Sequence, residues 1–245
     1  MNDGSVLLHA DADAVAEALV ARLLARIVEL QATGQVVRLC LTGGRIATRA
    51  YQRLAAEGGN SAVAWDRVEL WWGDERFVPA DSEDRNAEPA IALLAPLGIP
   101  ADRIHPMPAA DGTELDAAAE AYDEELGDAG FDICLLGLGP DGHVASLFPE
   151  HPSSYEAGRV IAVRSSPKPP PERTSLTLEV INNSAEVWFL VSGADKAKAV
   201  ALALLRTGPV QVPGAGARGR DRTLWLLDRD AATELPADLT QRGVF

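Results

Sequence analysis

Residues Phe131 to Pro149, FDICLLGLGPDGHVASLFP, constrain the fold more than any other stretch of this 245-residue chain. A continuous apolar run (Ile133, Cys134, Leu135, Leu136, Leu138) empties into glycines, and Asp141, Gly142 and His143 follow at once. Unbroken apolar runs, unlike alternating ones, suit strands buried on both faces, as in parallel sheets flanked by helices. Ligands of open α/β sheets bind outside the carboxyl ends of their strands. A buried strand ending in a glycine loop with a histidine is therefore a candidate site.

Gly137, Gly139 and Gly142 also match the G-x-G-x-x-G dinucleotide fingerprint. That fingerprint needs a helix opening inside the glycine run and an acidic residue about 20 residues on, after a second strand. Here Pro140 and Asp141 stand where a pyrophosphate would approach, and the following HPSSYEAG is no crossover helix. We set the nicotinamide reading aside on that context.

The rest of the chain alternates strands and helices. Strands are expected at 5–9, Val36–Leu41, Val68–Trp72, Val160–Val163, Glu186–Val191 and Leu224–Leu227, with a short extended piece at Ile104. In Asp13–Gln31 the residues Val15, Leu19, Leu23, Ile27 and Leu30 recur at helical spacing, and Gly34 follows as a stop. Further helices are expected at Ile46–Glu57, Asp84–Leu94, about Glu114–Leu126 and Ala194–Leu205. Gly73–Arg76, the stiff Lys168–Pro171 segment and residues 208–220 read as loops. No repeat or linker divides the chain, so residues 1–245 are read as one α/β domain, a mostly parallel sheet with helices on both faces.

A net charge of −14 argues against nucleic-acid binding. A small anionic substrate stays open if local positive charge overcomes the overall field. No apolar stretch is long enough for a membrane helix, and the acidic start MNDGSVLLHADAD lacks the basic region of a signal peptide. Cys40 and Cys134 lie in expected buried strands without CxxC spacing, which suits reduced, packed thiols and a cytoplasmic home. A disulfide between them is left open.

Four strand ends carry the candidate residues. Thr42-Gly43-Gly44-Arg45 is either an anion-binding turn at a helix N-terminus or simply a tight turn. In Gly73-Asp74-Glu75-Arg76, three charges directly follow a buried strand; Asn86, further on, is either a helix cap or a substrate donor. His143 is the candidate general base, with Asp141 two residues away as a possible orienting acid. His9, His105 and His151 lack comparable context. Ser192 and Asp195 fit a capping box, which puts Lys196 at a helix start where the dipole disfavours a cation unless an anion binds. Arg173 follows the proline loop and suits bidentate anion contact. Ser146 is read as capping a turn, and no serine lies in G-x-S-x-G, so a serine-hydrolase mechanism has no local support. The His and Cys spacing suggests neither metal nor cofactor.

The segments WWGDERFVP (71–79), FDICLLGLGPDGHVASLFP (131–149), PPERTSLTL (170–178) and VSGADKAKAV (191–200), in this order, resemble 6-phosphogluconolactonases, of the glucosamine-6-phosphate isomerase/6-phosphogluconolactonase family. The resemblance implies a Rossmann-like fold shared with glucosamine-6-phosphate deaminases and ribose-5-phosphate isomerases. It implies hydrolysis of 6-phospho-D-glucono-1,5-lactone, a sugar-phosphate lactone supplied by a separate glucose-6-phosphate dehydrogenase. His143 matches the catalytic histidine, Asp74 and Arg76 the GDER loop, and Arg173 and Lys196 basic positions near phosphate or lactone oxygens. The chain departs from the family at Thr42-Gly43-Gly44-Arg45-Ile46, where a hydroxyl residue and proline usually follow the glycines, and at Arg85, usually serine. Arg45 either supplements phosphate binding or points away.

Two other readings compete. Glucosamine-6-phosphate deaminases share the GxDGH loop, but an acid closely follows it. Here Ala145-Ser146-Leu147-Phe148-Pro149 intervene before Glu150. A non-catalytic sugar-phosphate-binding protein would need the phosphate loop but not His143.

Overall fold

The computed structural model describes residues 4–205, 207–236 and Leu239; the first three residues of the acidic N-terminal stretch lie outside them. Seven strands form a parallel sheet: β1 (Ser5–His9), β2 (Val37–Leu41), β3 (Val68–Trp72), β5 (Ile104–His105), β6 (Ile133–Leu136), β9 (Glu186–Val191) and β10 (Arg222–Asp228). Their order is β1-β10-β9-β6-β2-β3-β5, and every pairing is parallel.

Both faces of this sheet are covered, which is why β6 is an unbroken apolar run and β9 is apolar after Glu186. All four residues of β6 and all six of β9 are buried. Ile133 and Leu135 point to a core built with α1 (Ala12–Gln31), α2 (Arg45–Gly58) and α3 (Ala87–Leu94). Cys134 and Leu136 point the other way, to a core built with α4 (Leu115–Leu126), α5 (Leu178–Asn182), α6 (Ala197–Leu204) and a small sheet. Cys40 and Cys134 are register partners on β2 and β6, both buried and free. No helix among the described residues is long and apolar enough to cross a membrane.

The small sheet was not anticipated. Gly73–Arg76, expected as a loop, contains strand β4 (Asp74–Arg76), and Arg173, expected in a loop, begins β8 (Arg173–Leu176). With β7 (Val160–Val163) they form an antiparallel sheet in the order β4-β8-β7. Strands of three or four residues are too short to show a period, and the charges of β4 hide its burial.

Two helix starts also differ. The helix expected from Asp84 begins at Ala87, because the Glu75 carboxylate accepts the backbone N–H of Asn86 (2.7 Å) and of Ala87 (2.9 Å). The capping box does not form. Ser192 Oγ instead donates to Asp228 Oδ2 (2.6 Å), and a 3-10 turn, Ala194–Lys196, precedes α6.

The chain runs outward from β2 to β3 and β5, then returns to place β6 on the other side of β2. Neighbouring strands whose connections leave in opposite directions open a crevice at their carboxyl ends. Thr42-Gly43-Gly44 and Gly137–His143 meet at that crevice, where Gly137 N donates to Thr42 Oγ1 (3.3 Å).

Candidate active site

A cleft of about 520 Å³ occupies this crevice. Thr42, Gly43, Gly44, Arg45, Asp74, Arg76, Asn86, His143, Arg173 and Lys196 all line it. Asp141 does not, but is bonded to His143. Residues separated by most of the chain thus converge on one small space.

The helix end of the cleft is poised for an anion. Gly44 caps α2 without a side-chain hydrogen bond, and no acid stands in the first turn. The helix's positive end is therefore not neutralised from within. Arg45 is the first residue of α2, is exposed, and is among the residues lining the cleft. Arg49 lies one turn on and also lines it, though its guanidinium donates to Asp13 Oδ1 (2.5 Å).

The β4–β8 pairing brings more charge. Alternation in β4 turns Asp74 and Arg76 to the cleft and buries Glu75, which is 1% exposed. Arg76 pairs directly opposite Arg173. Like charges at such positions destabilise a sheet, so this pairing is tolerated for a reason other than stability. Burial lowers the pKa of the Arg173 guanidinium, and Arg76 adds to the effect against Asp74. Burial also raises the Glu75 pKa, opposed by N–H groups of Asn86, Ala87 and Arg76 and by the charge of Arg85. Arg85, the departure from the family pattern, is thereby explained. It is buried, donates to Met107 O (2.7 Å) and Glu88 (2.6 Å), and sits 3.8 Å from Glu75.

Asn86 makes no capping bond. Its Oδ1 accepts from Arg76 Nη1 (2.6 Å), and its side chain packs against Gly43 closely enough to exclude a Cβ there. Ser146, expected to cap a turn, is fully buried and donates to Asp74 Oδ2 (2.7 Å). These contacts fix which oxygen of Asp74 remains available.

His143 Nδ1 lies 2.5 Å from Asp141 Oδ1. An Nδ1–H donated to the Asp141 carboxylate fits this distance, and in the neutral ring that tautomer leaves the lone pair on Nε2. Burial works against the Asp141 carboxylate. The hydrogen bond and charge of His143, with Lys168, outweigh it and hold the Asp141 pKa well below the usual carboxylate range. The ring also packs on Phe148, with centroids 4.9 Å apart. After His143 the chain makes a Val144–Leu147 bridge and no helix, consistent with setting aside the dinucleotide reading.

Three site-building residues escaped the sequence. Lys168 Nζ sits 3.0 Å from His143 Nδ1. Asp228, buried at the end of β10, receives Ser192 Oγ and Gly193 N and so shapes the loop bearing Lys196. Ser146 orients Asp74. An acid at the end of the last strand was the visible signal for Asp228.

Fold and site together define a Rossmann-like α/β protein with a positively charged cleft at its topological switch point, beside a histidine–carboxylate pair. The model of the family described as glucosamine-6-phosphate isomerases/6-phosphogluconolactonase matches residues 10–225. The chain is 48% identical to the 6-phosphogluconolactonase of Streptomyces coelicolor, over 96% of this chain and 95% of that one. It is 47% identical to that of Mycobacterium tuberculosis, over 95% and 99%. The solved 6-phosphogluconolactonase of Trypanosoma brucei superposes with a TM-score of 0.83 at 29% identity, covering 96% of this chain and 100% of that one. The chain belongs to the glucosamine-6-phosphate isomerase/6-phosphogluconolactonase family.

Proposed function

We propose that the chain hydrolyses 6-phospho-D-glucono-1,5-lactone to 6-phosphogluconate. The observation that carries this reading is the His143–Asp141 pair set into an anion-binding cleft whose lining holds one carboxylate among the described residues, Asp74. A lactone is an activated ester. Its hydrolysis needs a placed water, a base and charge stabilisation; His143 suits the base, and the arginines and Lys196 of the lining suit the charge.

The phosphate rests against the Thr42–Gly44 turn with Arg45, Arg173 and Lys196, which places the lactone carbon near His143. His143 Nε2 takes a proton from water as its oxygen bonds to C1. Arg76 or Lys196 stabilises the oxyanion. When it collapses, the C1–ring oxygen bond breaks and His143 returns the proton to the leaving oxygen. Asp141 holds the ring and balances the transient imidazolium charge. Asn86 and Asp74 contact sugar hydroxyls. No metal or cofactor enters the scheme. We read residues 1–245 as one lactonase domain, cytoplasmic, fed by a separate dehydrogenase.

The deaminase reading lacks an acid close behind His143, and a pure binding protein has no use for the His143–Asp141 pair. The test generates the lactone in place with glucose-6-phosphate dehydrogenase and follows its loss with and without the protein. Rapid loss, unchanged by EDTA, is expected. Decay at the spontaneous rate overturns the reading and turns attention to glucosamine-6-phosphate deamination and then to ligand binding.

Arg45 gives a separate check. Replacing it by alanine removes one exposed charge-assisted contact, worth about 1 kcal/mol. The KM should rise roughly 3- to 10-fold with little change in kcat, the pattern of a lost uniform-binding contact. An unchanged KM removes Arg45 from the phosphate site.

A further inference from the structure

His143 and Asp141 are joined by a third group. Lys168 Nζ lies 3.0 Å from His143 Nδ1 and 3.4 Å from Asp141 Oδ1, so the three side chains close a triangle. Lys168 is not among the residues lining the cleft. It comes from the proline loop before β8, and its backbone is held firmly. Lys168 N donates to Ser166 Oγ (3.2 Å), and Lys168 O accepts from Ser166 Oγ (2.9 Å) and from Arg173 Nη2 (3.1 Å). Arg173 also gathers the carbonyls of Pro169 (3.0 Å) and Pro170 (3.2 Å). Such anchoring aims a side chain that otherwise loses much rotamer freedom on being fixed.

The proton count decides what Lys168 does. With its proton donated to Asp141, Nδ1 cannot also accept from an ammonium. The Lys168 charge is therefore received by Asp141. Burial, reinforced by Lys196 and Arg173, lowers the Lys168 pKa, while Asp141 counters it. A cation is thus kept in an unfavourable place by one carboxylate. In return it adds a second side-chain contact to a carboxylate that is 34% exposed and is otherwise held by His143, through Nδ1 and a 3.4 Å backbone N–H contact.

We propose that Lys168 is a positioning residue for the reaction, holding Asp141 under Nδ1 so that His143 keeps Nε2 as its base. This rests on the lactonase reading of the cleft, but the contact can be read without substrate.

The test compares Lys168→Met, Lys168→Gln and Lys168→Arg with the unmodified chain. The neutral variants should lose about 10- to 100-fold in kcat, the order expected when a catalytic group is misplaced by about an ångström. Their KM should stay within about twofold, because the phosphate contacts are untouched. Lys168→Arg should recover most of kcat, which a filler of loop space would not require. In parallel, the Nδ1–H proton of His143 should give a far-downfield NMR signal in the unmodified chain and in Lys168→Arg, and lose it in the neutral variants. Wild-type kcat, or a persistent Nδ1–H signal, in a folded neutral variant overturns the proposal. An unmodified chain that leaves the lactone untouched overturns the lactonase reading instead, and the NMR comparison still decides whether Lys168 positions the pair.

Discussion

Replacing His143 by alanine should lower kcat by about three orders of magnitude, within the range of general acid–base contributions. The melting temperature should fall by no more than a few degrees. Stability survives because the loop is held by its backbone. Gly139 N donates to His143 O (2.9 Å), Gly142 N donates to Gly139 O (2.9 Å), and Gly214 N donates to Gly142 O (2.9 Å). None of these bonds uses the imidazole. Among the described residues the ring's one aromatic contact is the tilted one with Phe148, and its side chain is 20% exposed. The KM should change little, because the Thr42–Gly44 turn, Arg45 and Lys196 stand on other elements. Residual turnover above the spontaneous rate would then measure what placement and charge supply without a base. Steady-state kinetics with a thermal melt check both halves, and near-normal kcat in a folded variant would end the assignment of His143 as the base.

The parts of the molecule that could be read from the sequence are those decided locally. Strands β2, β3, β6 and β9 announced themselves because burial on both faces leaves short, dominantly apolar runs, broken only by Arg38, Glu69 and the leading Glu186. Their carboxyl ends located the site, since the loops after β2, β3, β6 and β9 all supply residues to one cleft. The unread parts depend on partners far away in sequence. Ser146 meets Asp74 across 72 residues, and Ser192 meets Asp228 across 36. Neither pairing leaves a local trace, so Ser146 and Ser192 were read as caps. The β4–β8–β7 sheet was missed for the same reason. Only the pairing partner explains why Asp74, Glu75 and Arg76 sit in a strand. Lys168 lay in a segment that composition marked only as stiff. The two departures from the family pattern resolved differently. Arg85 is consumed by Glu75, Glu88 and Met107, while Arg45 stands at the lining of the cleft.

Gly139 carries the second large prediction. In the G-x-G-x-x-G run it was weighed as a dinucleotide glycine, yet here it makes room for chemistry. A Cβ built on Gly139 would lie well under 3.0 Å from His143 Nδ1, His143 Cε1 and Asp141 Oδ1. Its φ is outside the left-handed region, so alanine meets no backbone strain there, and the substitution tests space alone. The obstructing atoms are side-chain atoms of the pair itself. They can rotate away, which spares the fold but breaks the 2.5 Å bond. Gly139→Ala should therefore fold and approach His143→Ala in its loss of kcat, to within about tenfold. The two changes should not add. Once the imidazole is gone there is little left to displace, so the double variant should be about as active as His143→Ala alone, as expected for residues acting as a unit. Full additivity would mean that Gly139 acts elsewhere. Wild-type kcat in Gly139→Ala would mean that the observed geometry of the pair is not what the reaction requires.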